Sequence, residues 1–200
     1  IETDSLISYY ISITEESNLN WMTYIKWLES VFVTYPEVAK KARPQLTKEG
    51  NWLIYNDPIL DNYFEHPGYQ LYPVTGVTWH QVISYLEWKS DRLNEAILLK
   101  CQNMELDMLR IVDSDNFNTE AYLINQYYYP SVDKEKWPRL AGTKKGHRDP
   151  ETRDGIFFPD YRLPTEQEWE AAYQYANNPD NLDVIQSSIK MSTFLKPWVD

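Results

Sequence analysis

Apolar positions fall into three stripes with helical spacing, set between polar, turn-rich stretches. Trp21, Tyr24, Ile25, Leu28 and Phe32 recur three and four residues apart after the helix-start residues Thr14, Ser17 and Asn18. This predicts an amphipathic helix that stops before Pro36. Val82, Leu86, Leu93 and Ile97 form a second stripe with Tyr85 and Trp88 beside it, predicting a helix to about residue 100. Trp169, Ala172, Tyr173 and Ala176 give the expected buried face of a third helix, closed by Asn177-Asn178-Pro179. Residues 8–13 alternate weakly through Tyr9, Tyr10 and Ile11 and are expected as a short strand, and residues 183–191 as a short helix. Pro44, Gly50, Pro58, Pro67 and Gly68 mark an irregular stretch, and residues 113–160 form a second one.

Two helix starts carry a stronger signature. Thr78 and Gln81 have capping-box spacing, in which each side chain bonds the other's backbone N–H, and Val77 and Val82 can staple the same turn. Thr165 and Glu168 repeat the box after Pro164, and Glu166 and Glu168 put negative charge where the helix dipole favours it.

Composition narrows the class. The 200 residues fit one domain over 1–200, and 42% apolar with 24% charged content excludes wholesale disorder. Nineteen basic against thirty acidic residues leave −11, so nucleic acid is not expected as a partner. Residues 131–155 reverse the sign locally, with seven Lys/Arg against five Asp/Glu. A solvated loop is the first reading of that segment, and docking on an acidic partner the second. No apolar run approaches the ~18 residues of a membrane-spanning helix. Aromatics reach 15%, led by 16 Tyr, which fits a tyrosine-rich core and boundary layer, or alternatively an interface or sugar-binding surface.

Candidate chemistry is sparse. Cys101 stands alone, so these residues form neither an internal disulfide nor a thiolate cage, and a small buried hydrophobe is its expected role. His66, His80 and His147 have no i, i+4 partner, and six glycines build no phosphate-cradling motif. The Asp113-Ser114-Asp115-Asn116-Phe117-Asn118 run fails as a calcium loop: Asn118 replaces the sharp-turn glycine and Ile124 the closing glutamate. A turn is expected there. Glu168 stands two positions from both Glu166 and Glu170, which points it to a different helix face, and the capping box consumes it, so acid–base work by this acidic run is not expected. No catalytic, cofactor-binding or metal-binding residue is expected, and no cofactor.

Several stretches resemble the formylglycine-generating-enzyme-like (sulfatase-modifying-factor) domain family. Tyr161-Arg162-Leu163-Pro164-Thr165-Glu166-Gln167-Glu168-Trp169-Glu170-Ala171-Ala172 matches its most specific signature. Pro73-Val74-Thr75-Gly76-Val77-Thr78-Trp79 with Tyr85 and Trp88, Glu15-Glu16-Ser17-Asn18 with Trp21, and Lys196-Pro197-Trp198-Val199-Asp200 are similar to others. The fold-signature residues are Asn18, Trp21, Pro73, Val77, Trp79, Trp88, Arg162, Leu163, Pro164, Thr165, Glu168 and Trp169. Trp79, Trp88 and Trp169 are expected to pack on or beside apolar helix faces. The resemblance implies an α+β, formylglycine-generating-enzyme-like fold, related to C-type-lectin-like domains and low in regular secondary structure, of which the chain would be the N-terminal half.

Departures from the family bear on function. Its enzymes oxidise a substrate cysteine with copper held by a cysteine pair in the C-terminal half, and Cys101 matches neither position. The histidine triad of the related iron-dependent sulfoxide synthases is not found either. Trp88 and Arg162 lie 74 positions apart, which marks residues 91–160 as an insertion. Its pattern, through Asp113–Phe117 and Thr119–Leu123, looks like the gliding-motility lipoproteins of Bacteroidota, the J type first and the K type second. That resemblance implies an exported outer-membrane lipoprotein facing the periplasm, held by a lipid anchor upstream of Ile1. It would be a non-catalytic structural component of the gliding and type IX secretion machinery, with other protein subunits as partners. A carbohydrate- or peptide-binding module, or the N-terminal half of a copper-dependent oxidase, are the alternatives. Tyr122, Tyr127, Tyr128, Tyr129 and Trp137 are the candidate partner interface.

Overall fold

A computed structural model describes residues 9–45, 62–101, 116–123 and 159–181. The chain divides into two compact units, Glu16–Arg162 and a second one built from Ile1–Glu15 with Leu163–Asp200.

In the larger unit, helix α1 (Asn18–Val31) starts where Ser17 leaves extended backbone and its side chain accepts from Asn20 N. Trp21, Tyr24, Ile25 and Leu28 are buried on one face, as their spacing requires. The helix closes with Phe32 N–H donating to Leu28 O, before Pro36 as expected. Pro36 then opens helix α2 (Pro36–Ala42), which the pattern did not foretell. Its buried face is only Ala39 and Ala42, too small to read as a stripe. Its cues are local: Pro at the first turn, Glu37 near the start, Lys40 and Lys41 in the last turn.

Helix α3 (Trp79–Cys101) keeps its predicted bounds. Thr78 Oγ1 accepts from Gln81 N at 3.3 Å, and Gln81 Oε1 accepts from Thr78 N at 2.7 Å. The Gln81 amide also donates to Lys41 O and Arg43 O, at 2.7 and 3.0 Å, joining the start of α3 to the end of α2. Just before it, Gly76 adopts φ 74°, a left-handed turn that suits glycine, and its carbonyl accepts from Gln45 N at 2.7 Å.

The core lies between α1, α2 and α3 and is mainly aromatic. Trp21 stacks on Tyr85 with centroids 4.7 Å apart, and Tyr24 meets Trp21 and Tyr85 edge-on at 5.8 and 5.4 Å. Such pairs contribute about 0.5–1.5 kcal/mol beyond the area they bury. Ile25, Leu28, Phe64, Ala39 and Ala42 complete the buried cluster, with Val77, Val82, Leu86 and Trp88 packed against it.

The second half of α3 departs from its predicted stripe. Leu93 and Ile97 are only half-buried, whereas Ser90, Asn94 and Glu95 are buried. Asn94 faces the polar start of helix α4 (Thr119–Leu123). Asp91 accepts from Thr119 N and Oγ1, Asn94 Nδ2 donates to Thr119 Oγ1, and Arg92 donates to Phe117 O at 2.6 Å. Asp91 and Asn94 find hydroxyl and backbone partners there, whereas Glu95 pairs with Arg92. Asn118 Oδ1 accepts from Ala121 N, capping α4. Phe117 and Tyr122 pack ring against ring at 5.8 Å.

Among the described residues, β pairing is limited to one antiparallel bridge, Ser17 with Pro73. Residues 9–13 form no strand, so that expectation is corrected; the described residues are mostly helical, with little strand. No described helix is long and apolar enough to cross a membrane. The expected helix at 183–191, Gly50, Pro58 and the Asp113–Asp115 turn lie outside the described residues.

In the smaller unit, helix α5 (Glu166–Asn177) carries the complete Thr165–Glu168 capping box, and a short 3-10 turn (Pro179–Asn181) follows it. Tyr9 Oη donates to Glu168 O at 2.7 Å. The predicted buried face is overturned: Trp169 is 63% exposed, Tyr173 and Ala176 are exposed, and Ala172 is half-buried. The buried side chain is Glu168, held by its own cap.

Candidate functional site

Three of the signature stretches meet in the Glu16–Arg162 unit. Asn18, fully buried, donates from Nδ2 to Tyr69 O at 2.9 Å and to Tyr63 O at 3.3 Å, holding the loop at 63–69 against the start of α1. Tyr63 Oη donates to Pro73 O at 2.7 Å, and Trp21 Nε1 to Ala42 O at 2.9 Å. Backbone bonds run alongside, from Asn18 N to Tyr72 O and from Val74 N to Glu16 O.

Glu16 is the hub. Its carboxylate accepts from Tyr85 Oη at 2.9 Å and Asn20 Nδ2 at 3.0 Å, and forms a close ion pair with Lys89. The Lys89 ammonium also lies 4.7 Å from the centre of the Tyr161 ring. Tyr161 N donates to Ser90 Oγ at 2.8 Å, and Ser90 Oγ donates to Leu86 O. Glu16, Tyr85 and Tyr161 come from three separate signature stretches. Lys89 and Ser90, which tie them together, were missed by motif reading. Their only signal was adjacency to Trp88 on a polar side of the helix.

Electrostatics give this cluster a fixed proton arrangement. Burial by itself raises the Glu16 carboxyl, but the bonds from Lys89 and Asn20, the Lys89 charge and the Tyr85 bond outweigh it and lower the carboxyl. Burial and then the Glu16 charge push Tyr85 far above the usual phenol value, and burial with Glu87 pushes Tyr24 up to about 12. Near neutral pH, Glu16 is therefore an acceptor and Tyr85 a donor.

A second polar cluster sits further along α3. Arg92 stacks over the Trp27 ring at 4.5 Å and pairs with Glu95 at 3.5 Å. Glu95 is 2% exposed, and burial raises its carboxyl against the pull of Arg92.

Outside these clusters, Trp88 is half-buried, 5.0 Å from Tyr24 and 6.0 Å from Trp27. Trp79 is 63% exposed and meets only the His80 ring among the described aromatic contacts. Packing as the expected role thus holds for Trp88 but is corrected for Trp79 and Trp169. Pro73, Arg162, Leu163 and Pro164 are exposed, Val77 is half-buried against the core, and Thr165 and Glu168 form the cap. Tyr122 is buried at 5% exposure against Phe117, which makes it a packing residue and removes it from the proposed interface. Tyr127, Tyr128, Tyr129 and Trp137 lie outside the described residues, as does His147. His66 accepts from Gly68 N and caps the turn at Pro67–Tyr69.

Among the described residues no group of three or more His, Cys, Asp or Glu could hold a metal ion. A copper centre held by two thiolates does not fit the donors of these 200 residues, which hold Cys101 alone.

Residues of three signature stretches around α1 and α3 are thus joined, with Lys89 and Ser90, into one bonded framework. The model of the sulfatase-modifying factor enzyme 1-like domain matches residues 2–181, and the chain belongs to that family. No curated protein and no solved structure matches the chain.

Proposed function

We propose that this chain is a non-catalytic structural and interaction module of the sulfatase-modifying-factor family, working with other protein subunits in a membrane-associated complex. The observation that carries the reading is a division of labour among its signature residues. Asn18, Trp21 and Glu16 are bound up in buried or half-buried contacts, whereas Trp79 and Trp169 present large aromatic surface at two helix starts. Exposed Trp and Tyr favour protein contacts. The sequence pattern of the 91–160 insertion supports placing the complex in the gliding-motility and type IX secretion machinery, as a lipoprotein on the periplasmic side of the outer membrane.

Native purification from membranes tests the reading. The expected result is a stable assembly with other subunits and incorporation of a fatty-acid label into the intact polypeptide. Conversion of a substrate-peptide cysteine to formylglycine by the intact polypeptide with copper would overturn it in favour of the oxidase alternative.

A further inference from the structure

On α5 the exposed aromatics have acidic neighbours. Glu166, Trp169, Glu170 and Tyr173 stand at i, i+3, i+4 and i+7, which places them on one helix face. All four are exposed, with Trp169 and Tyr173 each about two-thirds open. The Glu170 carboxylate accepts a long bond from Gln174 Nε2 at 3.3 Å. Residues 163–181 contain Glu166, Glu168, Glu170 and Asp180 and no Lys or Arg. The face therefore alternates a carboxylate with the π-surface of an aromatic ring.

Such a face is complementary to a cation. A guanidinium or ammonium can lie over an indole or phenol ring while pairing with a flanking carboxylate, and each contact strengthens as the other excludes water. We propose that the α5 face is a docking surface for a Lys/Arg-rich segment of a partner protein. This deepens the interaction-module reading and rests on it. A second copy of the chain is a poorer occupant than a strongly basic partner segment, because its overall charge of −11 opposes an acidic face and seven Lys/Arg against five Asp/Glu at 131–155 leave its most basic stretch at only +2. Phosphate-bearing ligands are repelled for the same reason.

The test uses the 200-residue chain and two synthetic peptides, one rich in Arg and Lys and one with Gln at those positions. Calorimetric titration at low and physiological salt should show saturable binding of the basic peptide that salt weakens, and none of the neutral peptide. Trp169→Ala with Tyr173→Ala should weaken binding about tenfold or more, as should Glu166→Gln with Glu170→Gln. Glu37→Gln with Glu87→Gln removes the same charge from exposed positions on other helices and should leave affinity unchanged. Equal losses in the two Glu→Gln double variants, with none in Trp169→Ala/Tyr173→Ala, would show general charge attraction and overturn the proposal. So would absence of binding, or binding of the neutral peptide. A Trp169 emission component (wild type minus Trp169→Phe) already water-shielded in the free chain would mean that the chain's own polypeptide covers the face. A dimer in sedimentation that Trp169→Ala dissolves would assign it to a second copy. Either result overturns the proposal. Native co-purification that survives Trp169→Ala/Tyr173→Ala would overturn the α5 surface while leaving the module reading intact. Formylglycine formation would overturn the module reading independently of peptide binding.

Discussion

Trp21 and Trp169 occupy the same local position. Each lies four residues after an N-cap hydroxyl, Ser17 in one helix and Thr165 in the other. Trp21 is 1% exposed, stacked on Tyr85, with its indole N–H bonded to Ala42 O, whereas Trp169 is about two-thirds exposed. The difference lies in what surrounds each helix. Around α1, helix α2 supplies small residues and a carbonyl, and α3 supplies an aromatic ring. The cap of α5 is the more complete of the two, yet it does nothing to bury the face behind it. A cap decides where a helix begins. Burial of its face depends on elements remote in sequence.

Truncation is the largest way to break this contrast. Trp21→Ala should cost about 3–5 kcal/mol, as large aromatic deletions in a core do, whereas Trp169→Ala should stay within about 0.5 kcal/mol. Urea unfolding followed by far-UV circular dichroism measures both, and similar losses would erase the distinction. Asn18→Ala comes next, at about 1–3 kcal/mol, because it strips the side-chain donor from the Tyr63 and Tyr69 carbonyls at a fully buried site. A cost under half a kcal/mol in the same assay would mean that those carbonyls find other donors.

A pH series sharpens the comparison within the larger unit. The folded Glu16 carboxyl lies below the ordinary value of 4.5, so its stabilisation is present above that pH and is lost as pH falls through the lower folded value. Glu16→Gln should therefore destabilise by about 1 kcal/mol at neutral pH, given partial solvent screening, with the gap closing on acidification. Glu95 has the opposite sign. Its folded carboxyl lies above 4.5, so its contribution is present below that pH and is lost as pH rises through the folded value. Relative to wild type, Glu95→Gln should gain stability as pH rises from 4.5 toward neutrality. Parallel pH profiles for the two variants would contradict this assignment.

The smallest expected effects concern the caps. Thr165→Ala should lower helicity and cost about 1 kcal/mol where α5 contributes to unfolding, and Thr78→Ala about the same in α3. Thermal melts of the two variants check this. A much larger loss for Thr78→Ala would show that Gln81, which also bonds Lys41 O and Arg43 O, couples its cap to α2.

The sequence by itself determined the features set by local bonds and strong periodicity. These are the start of α1 among Thr14, Ser17 and Asn18, the bounds of α3, both capping boxes, the stop before Pro36 and the family signature. Their physics is contained within a few residues, so it can be read from spacing. Tertiary structure alone decided that α2 packs through two small alanines, that Asn94 and Glu95 are buried where Leu93 and Ile97 are only half-buried, and that Glu16, Lys89 and Tyr161 meet. It also left Trp79 and Trp169 in the open. A stripe records that a helix has an apolar side. Whether that side is buried depends on a partner surface, and contacts between residues seventy positions apart leave no periodic trace in the chain.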